Sequence, residues 1–82
     1  MVKVVFGPFF QKNFSKIKDK NTKDKITKQF VKIREYPEIG KPMMHNRKGT
    51  REVYVAPFRL SYVFIREEDK IIFLDLYHKD EQ

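Results

Sequence analysis

An arginine, Arg59, sits inside the apolar run "FRLSYVFI", and the next apolar run, "IIFLDLY", leads straight into His78 and Lys79. Upstream, Lys41, Arg47, Lys48 and Arg51 place four positive charges in eleven residues with no acid among them. These residue types suit one chemistry. An arginine's planar fork matches a phosphate and keeps its charge, while a histidine titrates near neutrality. RNA cleavage without a metal needs both: the 2′-hydroxyl loses a proton, the phosphorane's charge is stabilised, and the leaving 5′-oxygen gains a proton. Singly, each residue has a plain structural explanation. An arginine on an open sheet face snorkels or pairs with an acid such as Asp75. A histidine near the end of a chain, or His45 in a basic loop, is ordinarily solvated.

Whether they form a site depends on the elements that carry them. "VKVVF" is short and β-branched and is closed by Gly7-Pro8, which predicts a strand over Val2 to Phe6. Phe10, Phe14 and Ile17 then recur at helical spacing, as do Ile26, Phe30 and Ile33. The two segments predict an antiparallel helical hairpin with lysines outside and Asn21 or Thr22 capping the second helix. "EYPEIGKP" reads as turn material and "MMHNRKGT" as an exposed basic loop. "REVYV", "FRLSYVFI" and "IIFLDLY" read as strands, with a corner at Ala56-Pro57 and a hairpin turn at "REEDK". The expected architecture is α+β in the order β-α-α-β-β-β, a helical hairpin packed on a small antiparallel sheet.

Alternation along the strands puts Phe58, Leu60, Tyr62 and Phe64 on one face and Arg59, Ser61 and Val63 on the other. The open face is expected to collect Arg59, Glu52 or Arg51, and the end of the last strand. Counted outward from the hairpin turn, Arg59 lies near the residues after Leu76, which include His78 and Lys79. The expectation is a site with Arg59 and His78 side by side.

Eighty-two residues suffice for one small domain, residues 1–82, and eight Phe with four Tyr can fill its core. No cysteine is present, which fits a reducing cytoplasm and removes thiol chemistry. The opening "MVKVVFGPFF" is too short and interrupted for a signal peptide, and no apolar run has the roughly 20 residues of a membrane span. Two histidines without an acid at ligand spacing predict no metal site, and neither a P-loop nor a dinucleotide glycine motif predicts a cofactor. The net charge of +7 is uneven: +8 over residues 1–34, +3 over 35–66 and −4 over 67–82. A body this basic attracts polyanions, nucleic acid first among them, or an acidic protein.

The element order, the "GKP…HN..G" passage from Gly40 to Gly49, the "FRLSY" strand and the closing "YHK" resemble the RelE/ParE toxin superfamily, and among its members the RelE and YoeB branches. The resemblance spans nearly the whole chain. It implies a type II toxin, a metal-independent endoribonuclease that cuts messenger RNA on the ribosome in the cytoplasm. Its implied partners are a cognate antitoxin in a hetero-oligomer, the ribosome and mRNA, with no membrane. By position, Arg59 matches the transition-state arginine and His78 the general acid of the YoeB branch. Lys79 falls where those branches keep an arginine or a terminal tyrosine, and Lys48 and Arg51 fall in RelE's basic region. The chain departs from the pattern at Met43, where the YoeB branch has its glutamate base, and after His78, where no aromatic follows. Glu52 is the stand-in for the carboxylate, and Tyr54 or Tyr77 for the base-stacking ring. Two alternatives accompany this reading: a ParE-like inhibitor of DNA gyrase, and a non-catalytic RNA- or protein-binding domain.

Overall fold

A computed structural model of the chain describes residues 2–43 and 49–78. The chain runs β1 (Lys3–Phe6), α1 (Pro8–Ser15), α2 (Lys20–Glu35), β2 (Lys41–Pro42), β3 (Arg51–Val55), β4 (Phe58–Ile65) and β5 (Lys70–His78), with a 3₁₀ turn (Arg66–Glu68) joining the last two strands. The strands form one sheet in the order β1-β5-β4-β3-β2, and the helices cover one of its faces. The α+β architecture is as expected, with two additions. Lys41–Pro42, inside the expected turn and loop, adds a short edge strand to β3, and β1 pairs with β5 in parallel, so the sheet is mixed. The connection allows the parallel pairing: the whole helical hairpin and β2–β4 intervene between the two strands, and a tight turn could not join a parallel pair. No helix among the described residues is long and apolar enough to cross a membrane.

The helices start where backbone chemistry allows. Pro8 opens α1, where its missing N–H costs nothing, and Gly7 N–H donates to Phe73 O at 2.8 Å. A β-carbon on Gly7 would stand 2.9 Å from that same oxygen, so the close approach of α1 to β5 requires glycine there. Helix α2 is capped by Asp19 rather than by Asn21 or Thr22. Its carboxylate accepts from Asn21 N at 3.3 Å and from Thr22 Oγ1 at 2.6 Å. Asp19 lies one residue before the helix, where its oxygens can reach the otherwise unpaired donors of the first turn. Helix α1 ends at Ser15, yet Ile17 is still 8% exposed, because the chain continues in a tight turn with Ile17 N–H donating to Phe14 O.

The core lies between helices and sheet. Phe10, Ile17, Ile26, Ile33, Val55, Leu60, Tyr62, Ile71, Phe73 and Leu76 are buried, as the helical and strand periodicities require. Phe73 is the hub of an aromatic cluster, with ring centroids 4.8 Å from Phe30, 5.4 Å from Phe6 and 5.8 Å from Phe10. Lys12, Lys16, Lys18, Lys20, Lys25, Lys28 and Lys32 are exposed on the hairpin, and Lys23 reaches over the Phe14 ring.

One irregularity positions the site. In the β4–β5 ladder Tyr62 pairs with Phe73 but Ser61 pairs with Asp75, so Leu74 is passed over. An unbroken ladder would set Leu76 against Arg59 and Asp75 against Leu60, with a carboxylate facing the core. The bulge shifts the remaining pairs by one, so that Leu76 meets Leu60 and Tyr77 meets Arg59. Asp75 instead accepts from Asn13 Nδ2 of α1 at 2.8 Å and from Leu76 N at 2.7 Å. The acid named in advance as a structural partner for Arg59 is thus held by a helix.

Candidate functional site

The uncovered face of the sheet assembles side chains from three adjacent strands. Arg59 on β4 stands between Tyr54 on β3 and Tyr77 on β5, its partners in register, and Glu52 on β3 lies two residues from Tyr54 on the same face. Glu52 is 7% exposed. Its Oε1 accepts from Arg59 Nη1 at 3.0 Å, and its Oε2 accepts from the Tyr77 hydroxyl. The guanidinium carbon lies 5.9 Å from the centre of the Tyr54 ring, within reach of a cation–π contact, and that ring is itself exposed. The Arg59 side chain keeps 38% of its surface accessible, while its Nε is occluded and has no acceptor among the described residues. Arg59 is therefore a half-exposed cation, fastened at one nitrogen and flanked by a ring, with donor capacity left over. Such a group can bind an oxyanion.

The other expected residues divide. Lys41 is exposed on the edge strand, opposite Glu52 in register, and so borders the same face. Arg51 belongs to the opposite face. It pairs with Tyr62 in register, and its Nη1 donates to Glu38 O at 3.0 Å and Gly40 O at 2.8 Å, with the Glu38 carboxylate 3.7 Å from Nη2. Alternation along "REVYV" decides this: if Glu52 and Tyr54 face outward, Arg51 and Val53 must face the helices. Away from the open face, Arg51 fastens the loop after α2. His78 also departs from expectation. It pairs with Phe58, not Arg59, and its ring meets the Phe58 ring edge-on at 5.7 Å. Because side chains alternate, residues one apart point to opposite faces, so Arg59 and His78 do not stand side by side. Arg47, Lys48 and Lys79 lie outside the described residues.

The sequence offers Tyr77, beside Tyr54, as a ring to stack on a base; sequence reasoning did not foresee that its hydroxyl donates to Glu52. The Glu52–Arg59–Tyr77 association needed the bulge at Leu74, for which the sequence carries no turn residue or glycine as a signal. On the covered face it also missed Tyr62, whose hydroxyl donates to Pro37 O at 2.8 Å and accepts from Gly40 N at 2.9 Å. A β-carbon on Gly40 would lie 2.7 Å from that hydroxyl oxygen. Burial pushes Tyr62's ionisation above the ordinary tyrosine value of 10.0. Among the described residues no three His, Cys, Asp or Glu side chains converge as metal ligands would.

Comparison with known proteins agrees with the architecture. The fold superposes on a YoeB/ParE toxin from Agrobacterium tumefaciens with a TM-score of 0.84 at 14% identity, covering 94% of this chain and 98% of that one. The intact E. coli RelBE toxin–antitoxin complex contains a chain matching with a TM-score of 0.81 at 16% identity, covering 95% and 96%. The YoeB dimer from Staphylococcus aureus matches at 0.76 and 21%, covering 94% and 97%. No curated protein matches the sequence. A family model, the ParE toxin of the type II toxin–antitoxin system parDE, matches residues 4–82. The chain belongs to this family of type II toxins, within the RelE/ParE superfamily that its element order and strand motifs resemble.

Proposed function

We propose that this toxin is an endoribonuclease that cleaves messenger RNA on the ribosome and so arrests translation in the cytoplasm. The observation that carries the reading is Arg59: a half-exposed guanidinium on the central strand of the sheet, fastened through one nitrogen, with an Nε that has no acceptor among the described residues. Its role is to bind the scissile phosphate and stabilise the charge that develops there, which requires no metal ion. Lys41 at the border of the face, with Arg47 and Lys48, supplies further attraction for the backbone. An antitoxin neutralises the toxin, as in the RelBE complex, whose name records such a pairing. The basic helical hairpin favours an acidic or amphipathic partner segment.

The position of His78 favours a second reading, a ParE-like toxin that binds DNA gyrase and cleaves nothing. In that case the general acid expected beside Arg59 is simply not part of a site.

One experiment separates them. Arg59→Ala alone is a poor probe, because it leaves the buried Glu52 carboxylate without its cation. Arg59→Lys keeps the charge and removes the planar fork. Induced without antitoxin, the parent should stop protein synthesis before DNA synthesis and cut transcripts. Arg59→Lys should slow cleavage by roughly a hundredfold or more with an unchanged thermal midpoint. Full toxicity of Arg59→Lys would overturn the nuclease reading, and replication stopping first would establish the gyrase reading.

A further inference from the structure

The open face holds a buried carboxylate that the proposed chemistry does not use directly. Glu52 is 7% exposed and its two oxygens accept from two different strands: Arg59 Nη1 on β4 and the Tyr77 hydroxyl on β5. A general base must meet its substrate, and this carboxylate lies beneath the groups it binds. It is placed to act on Arg59 instead. A free arginine side chain gives up much of its rotamer freedom when it is fixed on a ligand. Here that freedom is already restricted: the guanidinium is fastened at Nη1 and flanked by the Tyr54 ring. Fastening Nη1 fixes the plane of the guanidinium while the side chain keeps 38% of its surface accessible to an arriving phosphate. The Tyr77 hydroxyl fixes the carboxylate through its other oxygen, so the orientation passes from Tyr77 through Glu52 to Arg59.

We propose that Glu52 and Tyr77 are positioning residues that hold Arg59 by Nη1 and thereby present the accessible part of its guanidinium to a phosphate of bound RNA. The proposal rests on the reading of Arg59 as the phosphate-binding group, and its test keeps the two separable. The probe is a single-stranded RNA oligonucleotide with 2′-O-methyl groups throughout, which binds but cannot be cleaved. Its affinity is measured for the parent, Tyr77→Phe, Glu52→Gln, Arg59→Lys and the double variant Tyr77→Phe/Arg59→Lys. Nitrogen-15 spectra of the Arg59 side chain report rotation of the guanidinium in the same samples.

The expected result is a parent in which the two Arg59 Nη groups are resolved and slow to exchange, and variants at Glu52 and Tyr77 in which they average. Tyr77→Phe should weaken RNA binding roughly two- to tenfold in the parent background and leave it unchanged in the Arg59→Lys background, since the hydroxyl acts through the fork. An equal loss in both backgrounds would overturn the positioning role, because a merely structural hydroxyl does not depend on what residue 59 is. So would RNA binding by a parent whose Arg59 rotates freely. A parent that holds Arg59 rigid yet binds no RNA would overturn the phosphate reading itself. Tyr77→Phe removes a single hydroxyl, so the test stands even if Glu52→Gln fails to fold.

Discussion

On the helix-covered face, Tyr62 is buried and its hydroxyl both donates and accepts, to Pro37 O and from Gly40 N. On the open face, farther along the same strand, Arg59 engages Glu52 with one nitrogen and keeps another without a partner among the described residues. The two residues lie three positions apart on β4 and so point to opposite sides. One polar group is saturated by its own fold and the other is not. A saturated buried group stabilises the fold and has nothing left for a ligand. An unsaturated group stabilises less and is available to bind. Changes on the covered face should therefore lower stability, and changes on the open face should lower activity while the fold persists.

The largest break is expected at the aromatic hub. Phe73 is fully buried against Phe6, Phe10, Phe30 and Tyr62, so Phe73→Ala should cost about 3–5 kcal/mol by denaturant titration. For so small a domain that is a large share of its total stability. Next is Tyr62→Phe, which leaves Gly40 N–H and Pro37 O without their partner and should cost about 1–3 kcal/mol. Gly40→Ala should act in the same direction by driving a methyl group into that hydroxyl.

The pH dependence sharpens the contrast. The folded-state pKa of Tyr62 lies above the unfolded value of 10.0, because burial disfavours the phenolate. The hydroxyl's contribution is thus intact below pH 10.0 and is lost as pH rises through the raised value. Thermal midpoints measured on the alkaline side should fall more steeply for the parent than for Tyr62→Phe; parallel curves would contradict the assignment. On the open face, Arg59→Lys should leave the midpoint nearly unchanged while cleavage collapses, which is the opposite pattern.

The smallest expected effect belongs to neither face. Hydrogen bonding from Thr22 holds the exposed Asp19 carboxyl below its ordinary 3.8. Its contribution to capping is present above pH 3.8 and is lost as pH falls through the depressed value. Asp19→Asn keeps the cap's acceptor and removes the titration, so its acid limb should be slightly shallower than the parent's when followed by circular dichroism.

The sequence by itself determined the two helices, the four longer strands and most of what they bury, though not the short edge strand Lys41–Pro42. The spacings of Phe10 and Phe14 and of Ile26, Phe30 and Ile33 specify helices with one apolar side, and the alternation of Phe58, Leu60 and Tyr62 specifies a strand with one buried face. These are local signals, set by backbone geometry within a few residues. Arg59's exit onto the open face was legible for the same reason. Which residues meet across strands was decided only by the tertiary structure. Pairing depends on register, and register here turns on Leu74, passed over in the ladder without any local mark in the sequence. That one residue sets Tyr77 rather than Leu76 against Arg59 and leaves His78 against Phe58. The parallel partnership of β1 with β5 and the face on which Arg51 lies are likewise properties of the assembled sheet. Side-chain alternation has a period of two, so a one-residue slip exchanges the faces; residue types can propose a site, but only the ladder can assemble it.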